Sequence, residues 1–139
     1  MRQAQREITI NTQGQGLTEF TREASQFLRE SDIETGLLTL FVRHTSASLL
    51  IQENADPDVQ RDLLAYFRRL VPEGDRLYIH TAEGPDDMPA HVKSALTATS
   101  ISVPVVAGAL ALGTWQGLYL FEHRTAPHRR TVVLHLIGS

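Results

Sequence analysis

The chain of 139 residues contains no cysteine, no long apolar run and no excess of basic residues. Without cysteine it forms neither a disulfide framework nor a thiolate metal site, which suits a reducing compartment. Its apolar stretch SVPVVAGALALG is shorter than the ~20 apolar residues that a membrane helix needs, and Pro104 and Gly108 interrupt it. The N-terminal segment MRQAQREITI lacks the apolar core of a signal peptide. We therefore expect a cytoplasmic protein with no membrane partner.

The charge and the motifs that are missing exclude further classes. A net charge of −3 provides no basic face for nucleic acid, and the arginine doublets at residues 68–69 and 129–130 are typical of solvated surface. A small phosphorylated ligand remains compatible with this charge. No segment matches a P-loop, a dinucleotide fingerprint or HExxH, and Ser46 and Ser48 lie outside any GxSxG nucleophile elbow. These absences argue against P-loop, Rossmann and serine-hydrolase chemistry.

Composition and periodicity predict one globular α+β domain over residues 1–139. Hydrophobic residues make up 42% and charged residues 21% of the chain, which are ordinary values for a soluble domain. Alternation predicts a strand over residues 6–12, and helical spacing predicts a first helix that is capped by Thr18 and ends near Ser31. The β-rich runs GLLTLFVRH and SASLLIQEN follow, and we expect them to be adjacent strands.

A second helix has a clear start, because Asp56 is a good N-cap and Pro57 suits the first helical position. We expect a strand over residues 77–81 and a short helix that begins near Pro89. The last third of the chain is typical of consecutive strands. Mostly consecutive strands with two to three helices predict a largely antiparallel sheet.

Several polar residues have both a structural and a functional interpretation. In TWQGLYLFEH, alternation places Gln116 and Glu122 on one face with two leucines. Glu122 therefore either reaches solvent at the end of the strand or lines a pocket with Gln116. His44, His80 and His91 lie at the ends of elements, where sites are commonly built, although a lone histidine is more often structural than a ligand.

Acidic and basic groups are concentrated before and within the short third helix. Asp86, Asp87, His91 and Lys93 fall within eight residues. Such a set suits a Mg²⁺-assisted phosphate site, because hard cations bind carboxylates and substrate oxygens while lysine neutralises phosphate. The alternative is that Asp87 or a neighbour only caps the helix.

Three segments, HTSASLLIQENADPDVQRDLL, EGPDDMPAHVKSAL and SISVPVVAGALALGTWQGLYLFEHR, together resemble the YjbQ-like family, also called uncharacterised protein family 0047. The resemblance covers residues 6–138, and its most specific part is SISVPVVAGALALGTWQGL. Relatives commonly have GNSDAHIK where this chain has GPDDMPAHVK. This difference favours His91 and Lys93 over Asp86 and Asp87 as site residues.

The resemblance implies an α+β fold and a homotrimer with sites near the subunit boundaries. It also implies an enzyme similar to secondary thiamine-phosphate synthases, which join a pyrimidine diphosphate to a thiazole phosphate and release pyrophosphate. A divalent metal, Mg²⁺ or Zn²⁺, is the expected cofactor, and no organic cofactor is implied. In this hypothesis the metal ligands are His44, His80 and His91.

The remaining roles follow from the same hypothesis. His44, His91 and Glu122 are the catalytic candidates. The residues expected to bind substrate are Asn54, Asp56, Lys93, Gln116 and Arg129. Because His44 and Asn54 flank one strand, we expect them to contribute to different parts of a site, one on each neighbouring subunit. The alternative hypothesis is a non-catalytic oligomeric module that binds a small anion or a phosphorylated metabolite.

Overall fold

The computed structural model describes all residues from Met1 to Ser139. It contains eight strands and three helices. None of the three helices is long and apolar enough to cross a membrane. In chain order the elements are β1 (Arg2–Asn11), β2 (Gly16–Glu19), α1 (Thr21–Ser31), β3 (Gly36–Val42), β4 (Ala47–Glu53), α2 (Pro57–Leu70), α3 (Asp87–Leu96), β5 (Ser100–Val106), β6 (Ala109–Leu110), β7 (Gln116–Glu122) and β8 (Arg129–Gly138).

The strands form two antiparallel sheets around one core. The larger sheet has the order β1-β8-β3-β5-β6 and the smaller sheet has the order β2-β7-β4. Alternation decides which side chains enter the core: in β3, Leu38 and Leu40 are fully buried while Leu37 and Phe41 are exposed. The buried face of α1 joins the same core. The fold is therefore α+β with antiparallel sheets, as the periodicity predicts.

The prediction that the two β-rich runs pair with each other is wrong. β3 bonds to β8 on one side and to β5 on the other, while β4 pairs with β7 in the other sheet. The short segment 43–46 carries the chain between the sheets. Both runs have high strand propensity, but propensity does not choose a partner, and the partners here come from the last third of the chain.

The start of the first helix also differs from the prediction. Thr18 lies in β2, which pairs with β7, and α1 begins at Thr21 after the N-cap residue Phe20. The hydroxyl of Thr21 accepts a hydrogen bond from the backbone N–H of Leu118 on β7. The helical spacing of apolar residues extends back to Leu17, but pairing with β7 places residues 16–19 in a strand instead.

The strand expected over residues 77–81 does not form. This part of the connection between α2 and α3 has no regular structure, and Leu77 and Ile79 are 88% and 98% exposed. A strand needs a neighbouring strand to bond its backbone, and no strand lies beside this segment.

The start predicted for the second helix is confirmed, and the start of the third lies slightly earlier than predicted. Asp56 caps α2, with its Oδ1 atom accepting a hydrogen bond from the N–H of Asp58 at 2.9 Å, and Pro57 is the first helical residue. The third helix begins at Asp87 instead of near Pro89. The earlier start brings Asp87 into the helix, where it joins the candidate site.

Candidate functional site

Three side chains converge at the beginning of α3. Nε2 of His80, in the preceding loop, lies 2.8 Å from Oδ2 of Asp87, and Nε2 of His91 lies 3.2 Å from the same oxygen. Asp87 and His91 are four residues apart on a helix and therefore share a face. The potential ligand atoms of all three residues lie within 4.8 Å of one another. These residues are the His80–Asp87–His91 cluster.

The orientation of His91 prepares one nitrogen for a cation. Its Nδ1 atom lies 3.0 Å from the carbonyl oxygen of Thr45, which can only accept, so that Nδ1 carries a proton. A neutral imidazole protonated at Nδ1 has only a lone pair at Nε2. Because this lone pair faces the Asp87 carboxylate, the arrangement is favourable only with a proton or a metal cation at Nε2.

Arg124 forms ion pairs with both Asp87 and Asp86. The Arg124 guanidinium lies 2.9 Å from Oδ1 of Asp87 and 2.8 Å from Oδ2 of Asp86. Burial raises the pKa of Asp87, but the hydrogen bond from His80 and the charges of His91 and Arg124 outweigh it and keep this pKa below its usual value. The hydrogen bond from Arg124 is the main reason that the pKa of Asp86 falls to about 2. Both carboxylates are therefore ionised at neutral pH.

The donor set of the cluster fits a transition metal. Two imidazole nitrogens and one carboxylate are ligands that Zn²⁺ accepts readily, and three protein ligands leave a coordination position open. Mg²⁺ prefers an all-oxygen environment, so the cluster fits Zn²⁺ better than Mg²⁺. The Thr45 carbonyl oxygen accepts a hydrogen bond from His91, and the Arg124 guanidinium pairs with Asp87. Contacts of this kind orient metal ligands in proteins.

His44, a predicted metal ligand, lies outside this cluster. Its Nε2 atom accepts a hydrogen bond from the N–H of Thr131 at 2.8 Å, and a nitrogen engaged in this way is not free to bind a metal. Burial, and then the charge of Arg130, lower the pKa of His44. The structure therefore brings together His80 and His91 of the predicted set, and Asp87 takes the place of His44. A catalytic role for His44 stays a prediction.

Glu122, a predicted catalytic residue, forms a buried ion pair with Arg130. Its side chain is fully buried, so it does not reach solvent. Arg130 donates to both carboxylate oxygens, Thr12 donates to Oε1 at 2.7 Å and the N–H of Arg124 donates to Oε2 at 3.1 Å. Burial raises the pKa of Glu122, but the hydrogen bonds from Arg130 and Thr12 outweigh it and lower this pKa overall. Glu122 is therefore part of a buried hydrogen-bonded framework, and a catalytic role for it stays a prediction.

Lys93 lies close to His91 in sequence but not on the same side of α3. Two positions along a helix correspond to a rotation of about 200°, so the two side chains diverge. Lys93 is 5% exposed and borders a cavity of about 250 Å³ whose other lining residues are Gln15, Arg68, Val71, Pro72 and Glu73. Burial, and then the charge of Arg68, lower the pKa of Lys93. Lys93 therefore belongs to a second polar region.

The other predicted substrate-binding residues lie away from both regions. The strand pairing sets Ala47 opposite Glu122 and Glu53 opposite Gln116, so Gln116 is about 20 Å from the Glu122 end of the sheet. Asn54, at this far end, donates to the backbone carbonyl oxygen of Gln116 at 3.3 Å. Asp56 serves as the cap of α2 beside them, and Arg129 is exposed at the start of β8.

His44 and Asn54 thus lie beyond opposite ends of β4, as expected from the sequence.

Sequence reasoning ranked Asp87 too low and missed Arg124 entirely. The spacing of Asp87 and His91, four residues on one helix, is a signal that is present in the sequence. A helix start near Pro89 hides this signal because it leaves Asp87 outside the helix. Arg124 gives no local signal, since its contact with Asp87 depends on how the segment after β7 packs against α3.

Comparisons with known proteins agree over nearly the whole chain. A family model described as UPF0047 protein YjbQ-like matches residues 6–139. A UPF0047 protein of Synechocystis is 56% identical over 99% of this chain and 94% of its own length. The UPF0047 protein YjbQ of Salmonella typhimurium is 43% identical over 97% of this chain and 98% of its own length.

A solved structure extends the likeness to the fold. The crystal structure of an uncharacterised YjbQ/UPF0047 protein from Clostridium acetobutylicum superimposes with a TM-score of 0.85 at 34% identity, and the match covers 94% of this chain and 98% of that chain. The two sheets and three helices described above are therefore similar to a fold that has been determined experimentally.

Proposed function

The chain belongs to the YjbQ-like UPF0047 family, and within this family we propose that it is a metal-dependent enzyme that acts on a small phosphorylated substrate. The observation that supports this proposal best is the His80–Asp87–His91 cluster. Its ligand atoms converge, one histidine is oriented by a backbone carbonyl and the carboxylate is held by a guanidinium. Side chains fixed in this way bind a metal without first having to reorganise.

The three residues would have different roles in such a site. Asp87 provides a permanent negative charge, and Arg124 keeps it in place. His91 is fixed by Thr45, whereas the side chain of His80 is 46% exposed and forms the side of the site that faces solvent. When bound by this cluster, Zn²⁺ would supply Lewis-acid chemistry and an open position for water or a substrate oxygen.

The specific reaction that we propose is transfer of the kind implied by the resemblance to secondary thiamine-phosphate synthases. The thiazole nitrogen forms a bond to the methylene carbon of the pyrimidine diphosphate, the bond from that carbon to the diphosphate oxygen breaks, and pyrophosphate leaves with the electron pair. Cationic groups stabilise such a leaving group. The His80–Asp87–His91 cluster with a bound metal ion is the candidate in this chain, since Lys93 lies on a different side of α3.

We also propose a homotrimer in which the site lies near a subunit boundary. In one subunit, Asn54 and Gln116 are about 20 Å from the Glu122 end of the sheet, too far to share one small substrate with groups at that end. A neighbouring subunit offers a way to bring such groups next to the cluster. Leu77 and Ile79 precede His80, and their apolar side chains are exposed in the single subunit. Exposed apolar side chains favour an arrangement in which a neighbouring subunit covers this loop.

Metal analysis of untagged protein tests the centre directly. We expect about one equivalent of Zn²⁺ per chain in the wild type and loss of the metal in both His91→Ala and Asp87→Asn, because three ligands are the minimum for such a site. His135→Ala is the matched control, since His135 lies on β8 and its side chain hydrogen bonds only to Gln3. Equal metal content in His91→Ala and His135→Ala would refute the assignment.

Release of pyrophosphate from the two phosphorylated substrates tests the reaction. We expect His91→Ala to lose at least about 100-fold in rate, a typical cost of removing a first ligand or a positioned proton donor. Equal rates in the wild type and His91→Ala would remove the catalytic assignment even if metal binding is confirmed.

The second candidate function is a non-catalytic module that binds a small anion. The buried Lys93 beside a polar cavity favours it, because such a cavity can hold a ligand without any reaction. In that case a phosphorylated ligand raises the melting temperature of the protein and no product appears. Turnover that depends on His91 would show that the chain is not solely a binding module, whether or not the Lys93 cavity also binds an anion.

A further inference from the structure

Most of the Lys93 side chain is buried, and the residue borders the cavity described above. It is 5% exposed, and its ammonium group forms no ion pair within 4.0 Å and no hydrogen bond within the chain. An ammonium group that borders a cavity and has no ion-pair partner is available to an anion that enters the cavity.

The cavity beside Lys93 offers further donors for an anion. Arg68, at the end of α2, lines the cavity, and its Nε atom donates to Oε1 of Gln15 at 3.3 Å. Gln15 in turn donates through Nε2 to the carbonyl oxygen of His123 at 3.2 Å. Gln15 therefore ties the guanidinium to the end of β7 and leaves its two terminal nitrogens free. No other side chain hydrogen bonds to the Arg68 guanidinium.

The size and charge of the cavity select its ligand. A volume of about 250 Å³ is below the roughly 300–1,000 Å³ of pockets that enclose whole drug-sized ligands, so the cavity fits a compact group. Its charged lining residues are Lys93, Arg68 and Glu73, which together carry a net positive charge. Lysine and arginine side chains at one cavity are a typical arrangement for binding phosphate oxygens.

We infer that Lys93, Arg68 and Gln15 form a second binding site, separate from the His80–Asp87–His91 cluster, that takes a phosphoryl group as inorganic phosphate or as a small phosphomonoester. Lys93 neutralises the anion, Arg68 donates two hydrogen bonds and Gln15 positions Arg68. The site lies on a different side of α3 from the cluster, so phosphate binding here does not depend on a metal.

Glu73 distinguishes this inference from a purely structural explanation. If Glu73 serves to balance the charge of Lys93, then Glu73→Gln destabilises the fold and leaves anion binding unchanged. If the cavity is an anion site, the carboxylate on its lining repels the ligand, and Glu73→Gln binds phosphate more tightly than the wild type does.

Calorimetric titration with inorganic phosphate, and separately with glycerol phosphate, at matched ionic strength tests the site. We expect Arg68→Gln to weaken binding about 10-fold or more, the usual effect of losing charge-assisted hydrogen bonds. Arg69→Gln is the matched control, because Arg69 is adjacent in sequence but does not line the cavity, and it should bind as the wild type does. Lys93→Met should lose binding without losing thermal stability.

Each result decides between the alternatives. The site is supported if Arg68→Gln and Lys93→Met lose phosphate binding but keep their metal, while His91→Ala loses its metal but keeps phosphate binding. The tighter of the two ligands then identifies the source of the phosphoryl group. No binding by the wild type, equal affinities of Arg68→Gln and Arg69→Gln, or loss of phosphate binding in His91→Ala would each overturn the inference.

Discussion

Among single residues, Glu122 and Arg130 depend on each other because each compensates a charge that is removed from water. They are 0% and 4% exposed. Replacing Glu122 by glutamine leaves the buried guanidinium without its counterion, and we expect the free energy of unfolding to fall by about 3–5 kcal/mol. Urea denaturation of the wild type and E122Q at neutral pH measures this difference.

A surface pair provides the control for this prediction. Arg43 and Glu7 lie 2.8 Å apart, but both side chains are more than half exposed. Since water solvates each partner, Glu7→Gln should change the free energy of unfolding by less than about 1 kcal/mol. Equal losses in the two variants would mean that burial is not the source of the effect at Glu122.

The buried pair of Ser48 and His123 should make the stability of the fold depend on pH. The hydroxyl of Ser48 lies 2.8 Å from Nε2 of His123, and burial together with the charge of Lys93 lowers the pKa of His123 from 6.5 to about 3. The unfolded chain therefore takes up a proton as the pH falls through 6.5, while the folded chain does not. This contribution is complete above pH 6.5 and decreases below it, with a loss of about 2 kcal/mol at pH 5.

The double variant Ser48→Ala/His123→Phe tests this origin, because it removes the imidazole and its hydroxyl partner together. We expect its free energy of unfolding to vary less between pH 5 and 8 than that of the wild type, by about 2 kcal/mol. Some dependence remains, because the pKa of His44 is lowered in the same direction. A slope identical to that of the wild type would exclude His123 as its source.

The candidate site could be predicted only in part, for reasons that are visible at individual residues. His80 and His91 are at the ends of local elements, and that position made them candidates. Their partner Asp87 required the true start of α3, and the exclusion of His44 required knowledge that the N–H of Thr131 bonds to it. Contacts of this kind join distant parts of the chain, and periodicity carries no information about them.

At the scale of secondary structure, the capping of α2 is a local interaction with a measurable contribution. Asp56→Ala removes the acceptor for the N–H of Asp58, and we expect it to destabilise the protein by about 1 kcal/mol. Thermal or urea unfolding measures the change. Asp58→Ala is the comparison, because Asp58 only forms an exposed pair with Arg61 and should cost less, about 0.5 kcal/mol.

The elements themselves were easier to predict than their partners. The cap of α2 and the alternation in β3 depend on neighbouring residues, so the sequence shows them directly. The local patterns at Thr18 and at residues 77–81 predict the wrong structure, because distant strands determine what forms there. Thr18 lies in β2 because β2 pairs with β7. Residues 77–81 form no strand because no strand pairs with them. The fold class was predictable because it needs only the kinds of elements, whereas pairing needs the whole chain.

For the whole molecule, the loop before α3 is the place to test whether the proposed homotrimer contributes to the proposed site. Ile79 is 98% exposed and is adjacent to His80, the solvent-facing member of the cluster. If the homotrimer covers this loop, Ile79→Asp places a charge in an apolar contact and should shift the protein to smaller species. Size-exclusion chromatography with light scattering measures the mass of each variant.

The metal and the activity show whether assembly completes the site. Ile79→Asp keeps His80, Asp87 and His91 in one chain, so it should retain Zn²⁺ while losing pyrophosphate release, because groups from the neighbouring subunit are then missing. Ile79→Leu is the control, because it keeps an apolar side chain at the same exposed position and should leave assembly and activity as in the wild type. An active monomeric wild type, or an Ile79→Asp monomer with full activity, would show that one subunit carries the complete site.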